Sequence, residues 1–191
     1  VKRGKLIVFC GPSGSGKGTV EKEFLNDKIF NFHFSISDTT REKRESETHG
    51  VNYSFLTKEE FKQNIKENKY LEWAKYINNY YGTPIAPIEK MLAKGQNVFL
   101  EIELLGVKQV VEKMPEAITI FLSPPSVEEL EKRLKKRGTE SIETINRRIE
   151  QANEEIKYAN DKKLFKYNII NYEVEETVQK IKDIISSEVN A

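Results

Sequence analysis

The sequence predicts an α/β fold in which a parallel-sheet core is interrupted by a small inserted α+β module, and three observations carry that expectation. Lys5-Leu6-Ile7-Val8-Phe9-Cys10 has the unbroken hydrophobicity of a strand buried on both faces. It runs directly into Gly11-Pro12-Ser13-Gly14-Ser15-Gly16-Lys17-Gly18-Thr19, which precedes a helical pattern from Val20 to Lys28. Two further buried-type runs, Asn97 to Glu103 and Ala117 to Leu122, are each followed by helical spacing, so strand and helix alternate along the chain.

The glycine stretch reads as a phosphate-binding loop. Glycines at 11, 14 and 16 let the backbone curl until its N–H groups and the positive end of the following helix point at one anion, and Lys17 adds a mobile cation. The G-x-x-x-x-G-K pattern is satisfied, but the hydroxyl residue that normally follows the lysine is Gly18, with Thr19 one place later. A hydroxyl there normally touches Mg²⁺, so either Thr19 takes that role or waters and nucleotide oxygens hold the metal. The plainer alternative is a tight turn between strand and helix.

Composition excludes several classes. The 191 residues suit one α/β domain with insertions. Lys+Arg 31 against Asp+Glu 30 leaves a net charge of +1, which gives no global field for nucleic acid or an anionic membrane. No apolar run approaches the roughly 20 residues that span a bilayer, and the N-terminus shows no signal-like apolar region. Cys10 is the only cysteine, so no internal disulfide can form and a reducing, cytoplasmic setting is expected. Its place at the end of the first strand suits core packing.

After the first helix, His33 to Ser37 alternates like a strand and leads into a polar, charged turn from Asp38 to Glu45. Arg41 and Arg44 in that turn can grip one phosphate from two directions, or they belong to a solvated charge run, which on spacing alone is the preferred reading. Val51 to Thr57 reads as a short strand, Lys58 to Asn68 as a helix and Leu71 to Tyr76 as a strand. Ile77 to Pro84 reads as a turn, with Thr83 or Pro84 opening a helix to Lys94. The acids ending the run Asn97 to Glu103 stand where open α/β sheets bind ligands and metals. Ser126 caps the next helix, and the charged segment from Val127 to Asn160, broken at Gly138-Thr139, has few apolar anchors, as a mobile element would. Arg133 within it reads as part of an ion-paired, solvated face. Tyr167 to Asn171 reads as a last strand and Glu173 to Val189 as a closing amphipathic helix. Neither His33 nor His49 joins a Cys/His/acid cluster.

In this order the segments G-P-S-G-S-G-K, F-S-I-S-D-T-T-R-E-K-R, G-V-N-Y, E-W-A, Y-Y-G-T, L-E-I-E-L-L-G-V-K, P-P-S-V-E-E-L, R-G-T-E and Y-N-I-I-N resemble the guanylate kinase family over essentially the whole chain. The resemblance implies a single domain over 1–191 with a core at 1–34, 95–127 and 161–191, a GMP-binding insertion at 35–94 and a helical lid at 128–160. It implies Mg²⁺-dependent transfer of the ATP γ-phosphoryl group to GMP, giving ADP and GDP in purine nucleotide metabolism. Ser13, Gly14, Ser15, Gly16, Lys17, Gly18, Thr19 and Arg137 then hold ATP, with Asn171 near its adenine. Arg41, Arg44, Tyr53 and Tyr81 hold the GMP phosphate, and Ser37, Glu72, Thr83 and Glu103 read guanine. Glu101 and Thr19 stand near the metal. Lys17, Arg41, Arg137 and Arg148 are the catalytic set, the last two closing from the lid, and Arg147 falls where either Lys or Arg would serve.

Three departures accompany the likeness: Gly18 after the lysine, glutamates at 101 and 103 where aspartates are usual, and Asp38 where a small hydroxyl residue is commoner. A scaffold domain that keeps the fold without the activity is disfavoured, because Lys17, Arg41, Arg44 and Arg137 are all present. A kinase for another nucleoside monophosphate, suggested by the G-K-G-T ending of the loop, is disfavoured by Glu72 and Thr83. The expected partners are ATP and GMP, with no nucleic acid or membrane, and a monomer is expected with a dimer left open.

Overall fold

The computed structural model describes residues 1–161 and 163–191. The chain opens with β1 (Leu6–Cys10), α1 (Lys17–Leu25), β2 (His33–Phe34), β3 (Asp38–Thr39), β4 (Ser54–Phe55) and α2 (Lys58–Lys66). It continues through β5 (Tyr70–Tyr76), β6 (Asn79–Pro84), α3 (Ile85–Ala93), β7 (Val98–Glu101) and α4 (Leu104–Lys113). It ends with β8 (Ile118–Ser123), α5 (Val127–Lys136), α6 (Ile142–Asp161), β9 (Tyr167–Ile170) and α7 (Val174–Asn190). A five-stranded sheet has the order β2-β7-β1-β8-β9, with β2/β7, β1/β8 and β8/β9 parallel, and a separate four-stranded sheet has the order β4-β3-β6-β5. The predicted α/β class, with its extra small module, is the architecture found. Among the described residues no helix is long and apolar enough to cross a membrane.

The residues group into two compact units. The first comprises Val1–Leu6, Phe32–Leu100 and Leu105–Ala117. Its four-stranded sheet is mixed: β3 runs parallel to β4, while β3/β6 and β5/β6 are antiparallel. Here two expectations are corrected. The stretch Ile77 to Pro84 is not a turn; only Ile77 and Asn78 connect β5 to β6, with Ile77 at φ 54°. Its asparagines, glycine and proline resemble turn chemistry, yet Tyr80, Tyr81 and Thr83 favour a strand and decide the outcome. Gly82 is needed inside that strand because a Cβ there would come within 2.9 Å of the Phe61 and Tyr70 rings. Nor is Asp38 in a polar turn. It begins β3, is buried, and accepts a 2.7 Å hydrogen bond from the Tyr70 hydroxyl. α2 starts where its sequence dictates, at a capping box in which Thr57 Oγ1 accepts from Glu60 N and Glu60 Oε2 accepts from Thr57 N.

The second unit comprises Ile7–Asn31, Glu101–Leu104 and Ile118–Ala191. Every residue of β1 is buried, and β8 pairs with it from Ile7↔Ile118 to Cys10↔Phe121. Each such Ile, Val or Phe contributes about 1.5–3 kcal/mol by leaving water. Cys10 is 1% exposed, and burial, reinforced by the charge of Glu155, pushes its thiol pKa up to about 12, so it packs rather than reacts. α1 begins at Lys17 rather than at Val20, because the left-handed Gly16 ends the loop and lets helical geometry start inside the glycine motif. The segment from Val127 to Asn160 is also better anchored than its composition suggests. Leu130, Leu134, Ile145 and Ala152 form a buried cluster with Ile149 against it, so α5 and α6 share a small core of their own. Between them Gly138, at φ 62°, makes the break.

Candidate active site

In the second unit the loop between β1 and α1 is built around two left-handed glycines, Gly14 at φ 85° and Gly16 at φ 88°. A Cβ at Gly14 would lie 2.5 Å from Leu130 Cδ1, and one at Gly16 would lie 2.5 Å from Asn171 Nδ2, so shape as well as φ demands glycine at both. Gly16 caps α1 without a side-chain hydrogen bond, and the first turn carries no acid. The helix therefore offers free N–H groups and an uncompensated positive end, which is what an anion requires. Lys17 donates to the Gly11 carbonyl at 2.9 Å and lies 3.5 Å from Glu101 Oε1. Ser13, Gly14, Gly16, Lys17, Gly18, Thr19, Glu101 and Arg137 line one cavity of about 380 Å³, together with Pro12.

Acids surround that lysine. Glu21, on the same face of α1 one turn beyond Lys17, has its carboxyl pKa pushed up to about 8 by burial and then by the hydrogen bond and charge of Glu101. Burial and the neighbouring Glu101 thus both favour the protonated form of Glu21. Burial also raises the Glu155 carboxyl, with the charge of Glu103 adding to it and Lys17 opposing. Among the described residues no group of three or more His, Cys, Asp or Glu is placed to hold a metal ion. The oxygen donors Thr19 and Glu101 fit Mg²⁺, a hard cation that commonly keeps waters and leans on substrate phosphates. No side-chain hydroxyl is available at Gly18, where a Cβ would meet nothing within 4 Å.

Arginines reach this loop from α5 and α6. Arg148 Nη1 donates to Ser13 Oγ at 2.9 Å, and its Nη2 pairs with Glu140. Arg137 caps the C-terminal end of α5 and stands exposed at the cavity, while Arg147 is exposed on α6. Arg133 is more than a solvated charge: besides pairing with Glu129 it donates to the Ser15 carbonyl at 3.4 Å. Arg133, Lys136, Arg137, Asn171 and Tyr172 line a second cavity of about 320 Å³ beside Gly14, Gly16 and Thr19. Asn171, assigned to adenine by resemblance, has a structural task here. It is 2% exposed, donates to the Ser15 carbonyl at 3.0 Å and accepts from Thr177 Oγ1 at 2.9 Å, so it holds the loop from behind.

A different constellation occupies the first unit. The buried Thr39 hydroxyl donates to the Tyr80 carbonyl at 3.0 Å and accepts from Arg41 N at 3.2 Å, which sets the chain direction as it leaves β3. The Arg41 guanidinium lies 5.6 Å over the Tyr53 ring and 5.8 Å over Phe55, and Tyr53 meets Tyr81 edge to face at 6.3 Å. Glu47 grips Arg41 at two points and also accepts from Arg44 N at 2.9 Å. Arg44 itself is exposed, and Ser37, half-buried, accepts through its carbonyl from Ser54 N. Glu72 and Thr83 face each other directly across β5 and β6, which brings Thr83 Oγ1 within 2.5 Å of Glu72 Oε1. Burial raises the Glu72 carboxyl, while that hydrogen bond and the charge of Lys113 lower it.

Each unit thus gathers one half of the expected set: Arg41, Tyr53, Tyr81, Glu72 and Thr83 in the first, and the glycine loop, Glu101, Arg137, Arg148 and Asn171 in the second. Glu103 belongs to the second unit, where its charge acts on Cys10 and Glu155. Sequence reasoning missed Glu21, Glu47, Glu140 and the loop contact of Arg133. The i, i+4 spacing of Lys17 and Glu21 was a usable signal. Glu47 was hidden in a run of alternating charge.

A family profile described as guanylate kinase matches residues 3–188. The chain is 49% identical over 188 residues to a guanylate kinase of Clostridium tetani, covering 98% of this chain and 88% of that one. It is 50% identical over 184 residues to a guanylate kinase of Mycoplasmoides gallisepticum, covering 96% and 93%. The crystal structure of guanylate kinase from Anaplasma phagocytophilum superposes with a TM-score of 0.70 at 30% identity, over 98% of this chain and 87% of that one. With a glycine loop and its arginines in one unit, and a paired carboxylate and arginine–tyrosine cluster in the other, similarity of this extent means that the chain belongs to the guanylate kinase family.

Proposed function

We propose that the protein transfers the γ-phosphoryl group of ATP to GMP, yielding ADP and GDP. The observation that carries this reading is the Glu72–Thr83 pair, set at 2.5 Å in the same small sheet as the Arg41, Tyr53 and Tyr81 cluster. A fixed carboxylate accepts together from the ring N–H and exocyclic amine of guanine. Adenine offers it a ring acceptor instead. Arg41, Arg44, Tyr53 and Tyr81 hold the GMP phosphate, with Ser37 and Glu103 assigned to guanine on the family resemblance.

The loop amides of residues 13–19 and Lys17 bind the ATP phosphates. Lys17 leaves its resting contacts with Gly11 and Glu101 for the nucleotide, a short swing for a flexible ammonium. Thr19 and Glu101 would hold Mg²⁺, which when bound would supply charge neutralisation for the polyphosphate. Arg137 and Arg148 bring positive charge to the phosphoryl group in flight and, within a lid at 128–160, exclude the water that would hydrolyse ATP. Arg41 anchors the acceptor phosphate whose oxygen attacks the γ-phosphorus in line. No covalent enzyme intermediate is required. A monomeric, cytoplasmic enzyme fits this chemistry. The test is label transfer: with γ-labelled ATP, Mg²⁺ and GMP, label should enter GDP in step with ADP formation, and ADP formed without labelled GDP would contradict it.

A further inference from the structure

β5 is the edge strand of the four-stranded sheet, so its outward N–H and C=O groups have no strand beside them. Two side chains of α4, one helical turn apart, take the place of that strand. Gln109 Nε2 donates to the Trp73 carbonyl at 2.9 Å and its Oε1 accepts from Trp73 N at 3.1 Å, an amide paired with a peptide as in a sheet. Gln109 is steadied by a further 3.3 Å hydrogen bond to the Leu105 carbonyl of its own helix. Lys113 Nζ donates to the Tyr70 carbonyl at 2.5 Å.

These contacts bracket Glu72, since residues 70 and 73 are held while the register of β5 shifts between Tyr70 and Glu72. Such an irregularity bends the strand and re-aims the side chain beside it. Resting on the guanine role of Glu72, we propose that Gln109 and Lys113 are positioning residues for base selectivity that act through Glu72. Gln109 fixes the strand so that both carboxylate oxygens meet the guanine edge. Lys113 of α4 supplies the positive charge that acts on Glu72, β6 supplies the uncharged Thr83 hydroxyl, and burial works against both. The charge of Lys113 thereby opposes burial and favours the ionised carboxylate, the form that accepts from guanine.

The test is calorimetric binding of GMP and of IMP, which lacks the exocyclic amine, to the full chain from about pH 5 to about pH 8. Gln109→Ala should weaken GMP about tenfold and IMP less than about twofold, and Gln109→Glu, which sets a carboxylate oxygen against the Trp73 carbonyl in place of a donor, should likewise weaken GMP more than IMP. Lys113→Met should move the acid limb of GMP binding to higher pH, whereas Lys113→Arg should leave it in place. A parallel loss for GMP and IMP in the Gln109 variants overturns the role of Gln109, and an unmoved acid limb in Lys113→Met overturns that of Lys113. Equal affinities of the unaltered protein for GMP and IMP would instead sink the guanine role of Glu72 itself.

Discussion

Arg41 and Glu47 form a two-point ion pair, with Nη2 2.7 Å from Oε1 and Nη1 3.0 Å from Oε2. The same carboxylate accepts from Arg44 N, so one acid sets the placement of both arginines. Fork-to-fork pairing fixes orientation as well as charge. Glu47→Gln should therefore raise the KM for GMP by about tenfold, roughly the worth of one charged hydrogen bond, and leave the KM for ATP unchanged. A lower KM for GMP would show that the carboxylate competes with the substrate phosphate.

The same pair has a pH signature. The hydrogen bonds of Arg41, followed by that of Arg44 N, hold the Glu47 carboxyl at about 2 against an ordinary 4.5. A depressed folded-state value means that the pair contributes in full above pH 4.5 and is lost as pH falls through about 2. NMR titration of the Glu47 carboxyl carbon should give a midpoint near 2, and a midpoint near 4.5 would place Glu47 outside the pair.

Lys17 rests against the Gly11 carbonyl and Glu101 without supporting the core. Lys17→Ala should lower kcat by about 10² to 10³, the range for loss of one preorganised charge at the reacting group, with the melting temperature nearly unchanged. Turnover at the original rate would mean that the phosphate site lies elsewhere.

Asn171 separates two roles. Loss of its hydrogen bonds to Ser15 and Thr177 in Asn171→Ala should cost about 1–3 kcal/mol of stability. It should weaken ATP and GTP as donors to the same extent. A changed ATP-to-GTP preference would instead support the adenine role that the resemblance assigned.

Arg137, the residue that caps the C-terminal end of α5, is exposed and lines the loop cavity. Charge delivered chiefly to the transition state predicts that Arg137→Ala lowers kcat by about 10² or more while the KM for ATP rises only a few-fold. A matching rise in KM with kcat kept would make it a ground-state binding residue.

The strands of the core were legible because burial on both faces leaves a near-continuous apolar run, as in Leu6 to Cys10 and in Ile118 to Leu122, where Thr119 alone interrupts it. The phosphate loop was legible because its geometry demands glycine at fixed places, Gly14 and Gly16 among them. The small sheet was harder. β3 is two residues long, and the Asp38 that opens it is burdened with a charge whose partner, Tyr70, lies 32 residues away. Periodicity cannot report such pairings, nor that Gly82 sits inside a strand because two rings close over it. The anchoring of α5 on α6 was missed for the same reason: Leu130, Leu134, Ile145 and Ala152 are sparse along the chain and meet only in space. Site residues supplied by motif order fell into two coherent groups, whereas Glu21, Glu47, Gln109 and Lys113 act through partners that the motifs do not name.

Phosphoryl transfer to a guanine nucleotide is read out by an acceptor panel. With ATP and Mg²⁺, ADP formation is measured in turn with GMP, AMP, CMP and UMP at equal concentration. Recognition through Glu72 and Thr83 predicts a rate with GMP at least about 10³ times that with any other acceptor, since a buried carboxylate left facing the wrong base edge is heavily penalised. Equal rates with GMP and AMP, or no turnover with any of the four, would contradict it.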